Sequence, residues 1–221
     1  MFTYYRQQIS VPVAAGSLKG CLTVPVKAKT IVIFAQAGGY SRETPESELL
    51  EHYLQKAGFG TLLVDLTVDG EEPAFGAAAD VIRSGDRLTA VALWILRRDL
   101  LGKYQYGFLA SHVEAAAAIR SAAALAHRIG AVVCRSGRLE LASDSLGLVA
   151  TPVLMVAGSN EPYVLAVNRE AIGQLRCDKK LVAIEGAGNR FDDAACARFS
   201  EFAVDWYKHY LQPATLSMAN A

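Results

Sequence analysis

Ser111 lies directly between a short apolar strand and an alanine-rich helix, in the run Leu109-Ala110-Ser111-His112-Val113. A serine at such a turn has the setting of a nucleophile elbow, which exposes the hydroxyl above a sheet. The helix N-terminus behind it offers backbone N–H groups and a positive dipole end to a developing oxyanion. The usual glycines of a G-x-S-x-G turn are missing, so the same residues also suit a serine that only caps the helix. A serine nucleophile needs a base. The histidines are His52, His112, His127 and His209. His112 opens the helix, where its ring is expected to point away from the Ser111 hydroxyl. The other three fall on helices, where solvated or capping roles are commoner.

Arg42, Arg135, Arg138 and Arg190 fall in or near loops at one end of the predicted sheet. Arginine forks bind carboxylate or phosphate at two points, so together they suit an anionic ligand. The competing reading pairs them at the surface with Glu43, Glu140 or Asp192. Gly38-Gly39 lacks the surrounding pattern of a phosphate loop, and a nucleotide cofactor is not expected. The acidic turn Asp69-Gly70-Glu71-Glu72 reads as solvated rather than cation-binding. Cys21, Cys134, Cys177 and Cys196 lie far apart without a C-x-x-C pair, so neither a metal site nor a disulfide framework is expected. Cys134 reads as a small buried residue, and Trp94 and Trp206 read as core.

The elements that must position these residues alternate along the chain. Gln8–Val13 and Leu18–Val24 read as two early strands about a turn. Thr30–Ala35 is a β-branched run suited to a strand buried on both faces. Further strands are expected at 61–65, 106–110, 131–134, 153–157 and 181–184. Helical spacing covers 47–56, stopping at Gly58, then 79–98, 112–127, 166–175 and 193–211. Alternation of this kind implies a mainly parallel sheet with helices on both faces. Ligands then sit beyond the carboxyl ends of the strands. That rule selects the loops near Gln36, Leu66, Ser111, Arg135, Gly158 and Gly186. One domain over 1–211 and a loose tail over 212–221 are expected.

The ordered segments TIVIFAQAGGYSR, FGTLLVDL, YGFLASHVEAAAAI, AVVCRSGRLELA, TPVLMVAGSNEP, VNREAI and LVAIEGAGNRF resemble those of dienelactone hydrolase-like proteins. The resemblance runs from about Gln8 to Leu211. It implies an α/β-hydrolase fold without a cap domain and places Ser111 at the nucleophile position. It further implies an acid after the next-to-last strand and a histidine after the last. At those places stand Asn160, or Glu161 after a one-residue shift, and Asn189. An asparagine amide cannot take and return a proton near neutral pH, so this triad would be degenerate. Gln36-Ala37 stands where relatives often carry His-Gly.

Lys+Arg and Asp+Glu both number 22, so no basic field exists for nucleic acid or an anionic membrane. No export signal is visible, which sets the expectation of a cytoplasmic protein. The partner expected is a small molecule, with a homodimer left open. Ser111, Asn160 and Asn189 form the expected centre. Gln36, Ala37, Arg42, His112, Arg135, Glu161 and Arg190 form the expected ligand lining, without metal or cofactor. The leading expectation is a small carbonyl or carboxylate ligand and a non-hydrolytic step such as cyclisation, isomerisation or elimination. The alternatives are a slow ester or lactone hydrolase using Ser111, and a non-catalytic binding or scaffold protein.

Overall fold

The computed structural model describes residues 4–37, 45–71, 77–99 and 103–211. Eight strands form one sheet: β1 (Tyr4–Val13), β2 (Gly16–Pro25), β3 (Thr30–Gln36), β4 (Gly60–Asp65), β5 (Gln105–Ser111), β6 (Ala131–Arg135), β7 (Val153–Gly158) and β8 (Lys179–Ile184). Their spatial order is β1-β2-β4-β3-β5-β6-β7-β8. β1 and β2 form an antiparallel hairpin, and β2 meets β4 antiparallel. The remaining pairs are parallel. The helices are α1 (Pro45–Lys56), α2 (Ala77–Arg98), α3 (His112–Leu125), the short α4 (Ser143–Leu146), α5 (Pro162–Gln174) and α6 (Asp193–Tyr210). The mainly parallel sheet and its covering helices match the expected architecture. The expected tail 212–221 lies outside the described residues.

Strand alternation divides the core into two layers. Ile31, Ile33 and Ala35 of β3 face one cluster, with residues of α2, α3 and α5. Val32 and Phe34 face the other, with Leu50 and Leu54 of α1 and Phe199, Ala203 and Tyr207 of α6. Both sides of a central strand are thus apolar, which is why Thr30–Ala35 shows no polar alternation. On α3, Ala115 to Ile119 are all fully buried. Small side chains let that helix pack closely on the sheet and on α2. The predicted stop of α1 at Gly58 holds, and its φ of 91° is a conformation that side chains with a Cβ resist. Between Leu139 and Leu146 a 3-10 turn runs into α4, a segment with no periodic signal in the residue pattern.

The strand order reverses direction at β3, which lies between β4 and β5. Ligands of open parallel sheets bind beyond the carboxyl ends at such a reversal. Gln36 ends β3 and Ser111 ends β5, so both stand at that place. Next to it, the loop after β4 is clamped onto α2 by an ion pair. The Arg87 guanidinium donates to both Glu71 carboxylate oxygens at 2.6 and 2.7 Å and to the Leu66 carbonyl at 2.8 Å. These bonds hold the Glu71 carboxyl down at about 2. A carboxyl lowered in the folded state stabilises above its ordinary value, and the contribution is lost as pH falls through its folded value. The acidic turn is therefore partly a structural clamp. Arg87→Ala is expected to cost about 2 kcal/mol by leaving the Leu66 carbonyl without its donor and the half-buried Glu71 carboxylate with only Arg83 and the Val68 N–H. Urea unfolding at neutral pH measures this, and a midpoint equal to wild type would refute the clamp.

Candidate active site at a strand-to-helix turn

β5 pairs with β6 so that Ser111 stands opposite Arg135. Ser111 itself is extended, at φ −126° and ψ 156°, and its side chain makes no cap to α3. Its hydroxyl oxygen accepts from Arg135 Nε at 3.2 Å. The capping alternative is therefore not what this side chain does. The residue in the strained conformation is the next one, His112, at φ 51°. A non-glycine residue there costs on the order of 1–3 kcal/mol and persists only where its surroundings hold it. This corrects the expected placement, in which Ser111 took the apex and His112 an ordinary first helical turn. Centred on His112, the elbow reads Ala110-Ser111-His112-Val113-Glu114, with a small residue two places before the apex.

The His112 ring lies among groups from several elements. Burial pushes its pKa down, and the Arg135 guanidinium adds to that. Glu161, Glu46 and a hydrogen bond with the Ser136 backbone act the other way. The main chain pins the apex too, since Arg138 N–H donates to the His112 carbonyl at 2.9 Å. Arg135 is braced by Glu46 of α1, with Nη1 to Oε2 at 2.8 Å, and lies over the Phe191 ring at 5.3 Å. It is thus held at the site by α1 and by the loop before α6.

The loop after β7 separates the two acid candidates. Asn160 is exposed, and its amide donates to the Gly186 carbonyl at 3.1 Å. Glu161 is buried, only 8% exposed, and its carboxylate accepts from Ser136 Oγ at 2.6 Å and from Gly158 N–H at 2.9 Å. The one-residue shift considered in the sequence is the arrangement in which a carboxylate lies near the elbow. Ser136 holds a φ of 45°, a second strained non-glycine residue at the same sheet end. Asn189 and Arg190 are exposed on the loop after β8 and make no hydrogen bond among the described residues.

At β3, Gln36 is half-buried, yet its Oε1 is buried without a hydrogen-bond partner. An unsatisfied buried acceptor is uncommon, and among the described residues Glu140 Oε2 and Asn168 Oδ1 share this state. Ala37 packs against the core cluster. Arg42 and Gly38-Gly39 lie outside the described residues. Arg138 pairs with Glu140 and lies over the Tyr163 ring, so the surface-pair reading holds for it. Cys134 is fully buried and its thiol is pushed up to about 12 by burial, which leaves it unreactive.

Sequence reasoning missed Glu114, in the first turn of α3. Burial lifts its carboxyl to about 7, with Asp80 and Asp65 adding to the rise. The signal available was its position two residues after the apex, where such turns usually carry a small residue. Among the described residues no three His, Cys, Asp or Glu side chains are grouped to hold a metal ion. No described helix is long and apolar enough to cross a membrane. Two surface clefts, of ≈ 720 and ≈ 520 Å³, lie elsewhere. The first is lined by Ile31, Ile95 and Tyr106, the second by Asp144, Leu148 and Gln174.

No protein-family model matches the chain. The crystal structure of a dienelactone hydrolase from Anabaena variabilis superposes with a TM-score of 0.88 at 31% identity, covering 95% of this chain and 99% of that one. An α/β serine hydrolase without lid from Xanthomonas campestris superposes at 0.74 with 15% identity, covering 95% and 96%, a likeness of fold alone. A Mycobacterium tuberculosis protein named "Putative phosphoribosyl transferase" is 31% identical over 206 residues, or 93% of this chain. The chain spans about half the length of that curated relative, 46%.

Proposed function

The chain belongs to the dienelactone hydrolase family, and from that premise we propose a member that binds a small carbonyl or carboxylate compound without serine-triad hydrolysis. The observation that carries this reading is the partner of Ser111. Its hydroxyl oxygen faces a guanidinium donor, Arg135 Nε at 3.2 Å, and donates to no base among the described residues. Arginine stays protonated at any working pH, so it cannot take the serine proton. The place where the family carries histidine is held by Asn189, which has no proton to exchange near neutrality. Glu161 is no substitute, because its carboxylate is tied through Oε2 to Ser136 and Gly158 and makes no hydrogen bond to Ser111 among the described residues.

The same groups suit ligand binding. Arg135, braced by Glu46, offers charge to a carboxylate or a polarised carbonyl oxygen. The α3 N-terminus adds backbone donors, and Gln36 Oε1 is an unfilled acceptor. Asn160 ties the β7 loop to the β8 loop beside them. Such a set polarises a carbonyl and fits isomerisation, elimination or cyclisation better than acyl transfer. The transferase name belongs to a relative more than twice as long, of which this chain covers 46%.

Labelling with a serine-directed fluorophosphonate tests the reading. Wild-type protein is expected to remain unlabelled at Ser111 over a time in which a working serine hydrolase reacts fully. Simple esters are expected to turn over slowly and equally in wild type and Ser111→Ala. Stoichiometric labelling of Ser111 would sink the reading, since it requires a base acting on that hydroxyl.

A further inference from the structure

We propose that His112, at the strained apex of the elbow, is the proton-transferring base of this site and acts on a carbon acid next to the ligand's carbonyl group. Ser111 is extended and merely precedes the apex, whereas His112 carries the φ of 51° between β5 and α3. Strain of this kind clusters where a side chain must be aimed. The Arg138 N–H on its carbonyl, at 2.9 Å, and the pairing of Ser111 with Arg135 across β5 and β6 hold the apex there. The residue before the apex stands opposite Arg135, and the Arg135 charge reaches the imidazole, so the ring and the group placed to hold the ligand's oxygen share one strand end.

This inference rests on the ligand-binding reading above and supplies the base which that reading lacks. A neutral imidazole needs no partner to accept a proton near pH 7, so Asn189 and the engaged Glu161 do not handicap it. Burial and Arg135 both favour the neutral form. In the step, the imidazole nitrogen lone pair takes the proton and the C–H bond breaks. The electron pair moves into the carbonyl group as an enolate, held by Arg135 and the α3 N-terminus. The imidazolium then returns its proton to another carbon of the same system. The net change is an isomerisation that needs no oxidant, reductant or second substrate. The substrate class is a small β,γ-unsaturated oxo carboxylate, whose enolate is conjugated with a second carbon able to take the proton.

A base can be read without the natural substrate. In 5-nitrobenzisoxazole, removal of one carbon-bound proton breaks the N–O bond and releases a coloured cyanonitrophenolate. Wild-type protein is expected to accelerate this above free imidazole at equal concentration. His112→Asn, which tolerates positive φ, is expected to lower the rate by about tenfold or more. His209→Gln, on exposed α6 surface, serves as the control and is expected to match wild type. His112→Gly removes the backbone strain together with the ring, and added imidazole is expected to restore its rate. The wild-type rate is expected to rise with pH and level off at a midpoint below the ordinary imidazole value of about 6.5. Burial is the main cause of that lowering and the Arg135 charge adds to it, while Glu161 and Glu46, the other charged groups acting on the ring, oppose it. Equal rates in wild type and folded His112→Asn would overturn the proposal, as would a wild-type rate no higher than free imidazole. Those outcomes leave the ligand-binding reading standing, whereas fluorophosphonate labelling of Ser111 removes both.

Discussion

Replacing Gly158 by alanine is expected to cost the fold about 4 kcal/mol or more, among the largest losses a single methyl can produce. Gly158 ends β7 and pairs with Ile184 of β8. A Cβ there would stand 2.2 Å from the Ala187 carbonyl oxygen, 2.5 Å from the Ala187 carbonyl carbon and 3.0 Å from Gly188 N. All three are backbone atoms, so no side chain can swing away to make room. The adjacent hydrogen bonds, Ser159 N–H to Ile184 and Asn160 N–H to Ala187, fix the two loops at this spacing. Separating them would also break Gly158 N–H to Glu161 and move the loop of Asn189. For a chain of this length the melting point should fall by about 10 °C. A fall below about 2 °C would show that the two loops separate freely.

The Glu114→Gln substitution is expected to stabilise the protein above neutral pH and to leave it unchanged in acid. Burial raises the Glu114 carboxyl from 4.5 to about 7 in the folded chain, with Asp80 and Asp65 adding to the rise. Between those values the folded chain holds a proton that the unfolded chain has released, so stability falls as pH rises. The loss is complete above about pH 7. At about 1.4 kcal/mol per pH unit of that window, the difference reaches about 3.5 kcal/mol. Glutamine keeps the shape and never ionises, so it removes this penalty. Denaturant unfolding of both proteins at pH 4.5 and pH 8 measures it. Equal differences at the two pH values would show that Glu114 ionises freely. The group sits two residues beyond His112, so the penalty is borne at the site itself, where stability is often given up for function.

The chain's own residue pattern determined the elements and their order. Thr30–Ala35 had to be a strand covered on both faces, because its apolar run leaves no polar side for water. The alanines of 115–118 had to form a closely packed helix, and Gly58 had to end another. The sheet end at which Gln36, Ser111, Arg135 and Glu161 gather also followed, because ligand loops of parallel sheets share one edge.

Single-residue choices at that edge did not follow. The sequence placed the elbow apex at Ser111, and the structure places it at His112. The acid position was open between Asn160 and Glu161, and only packing showed that Glu161 is buried while Asn160 is exposed. Both choices fall at or just past a strand end, Ser111–His112 at β5 and Asn160–Glu161 after β7, so the register of the strand that delivers them bears on which neighbour points inward. That register is set by pairing between distant segments, β5 with β6 and β7 with β8. The phase in which α3 seats its alanines on the sheet then decides which residue must take the strained turn. Local sequence carries neither constraint: it determined that this edge holds the chemistry, and tertiary packing decided that His112 takes the apex.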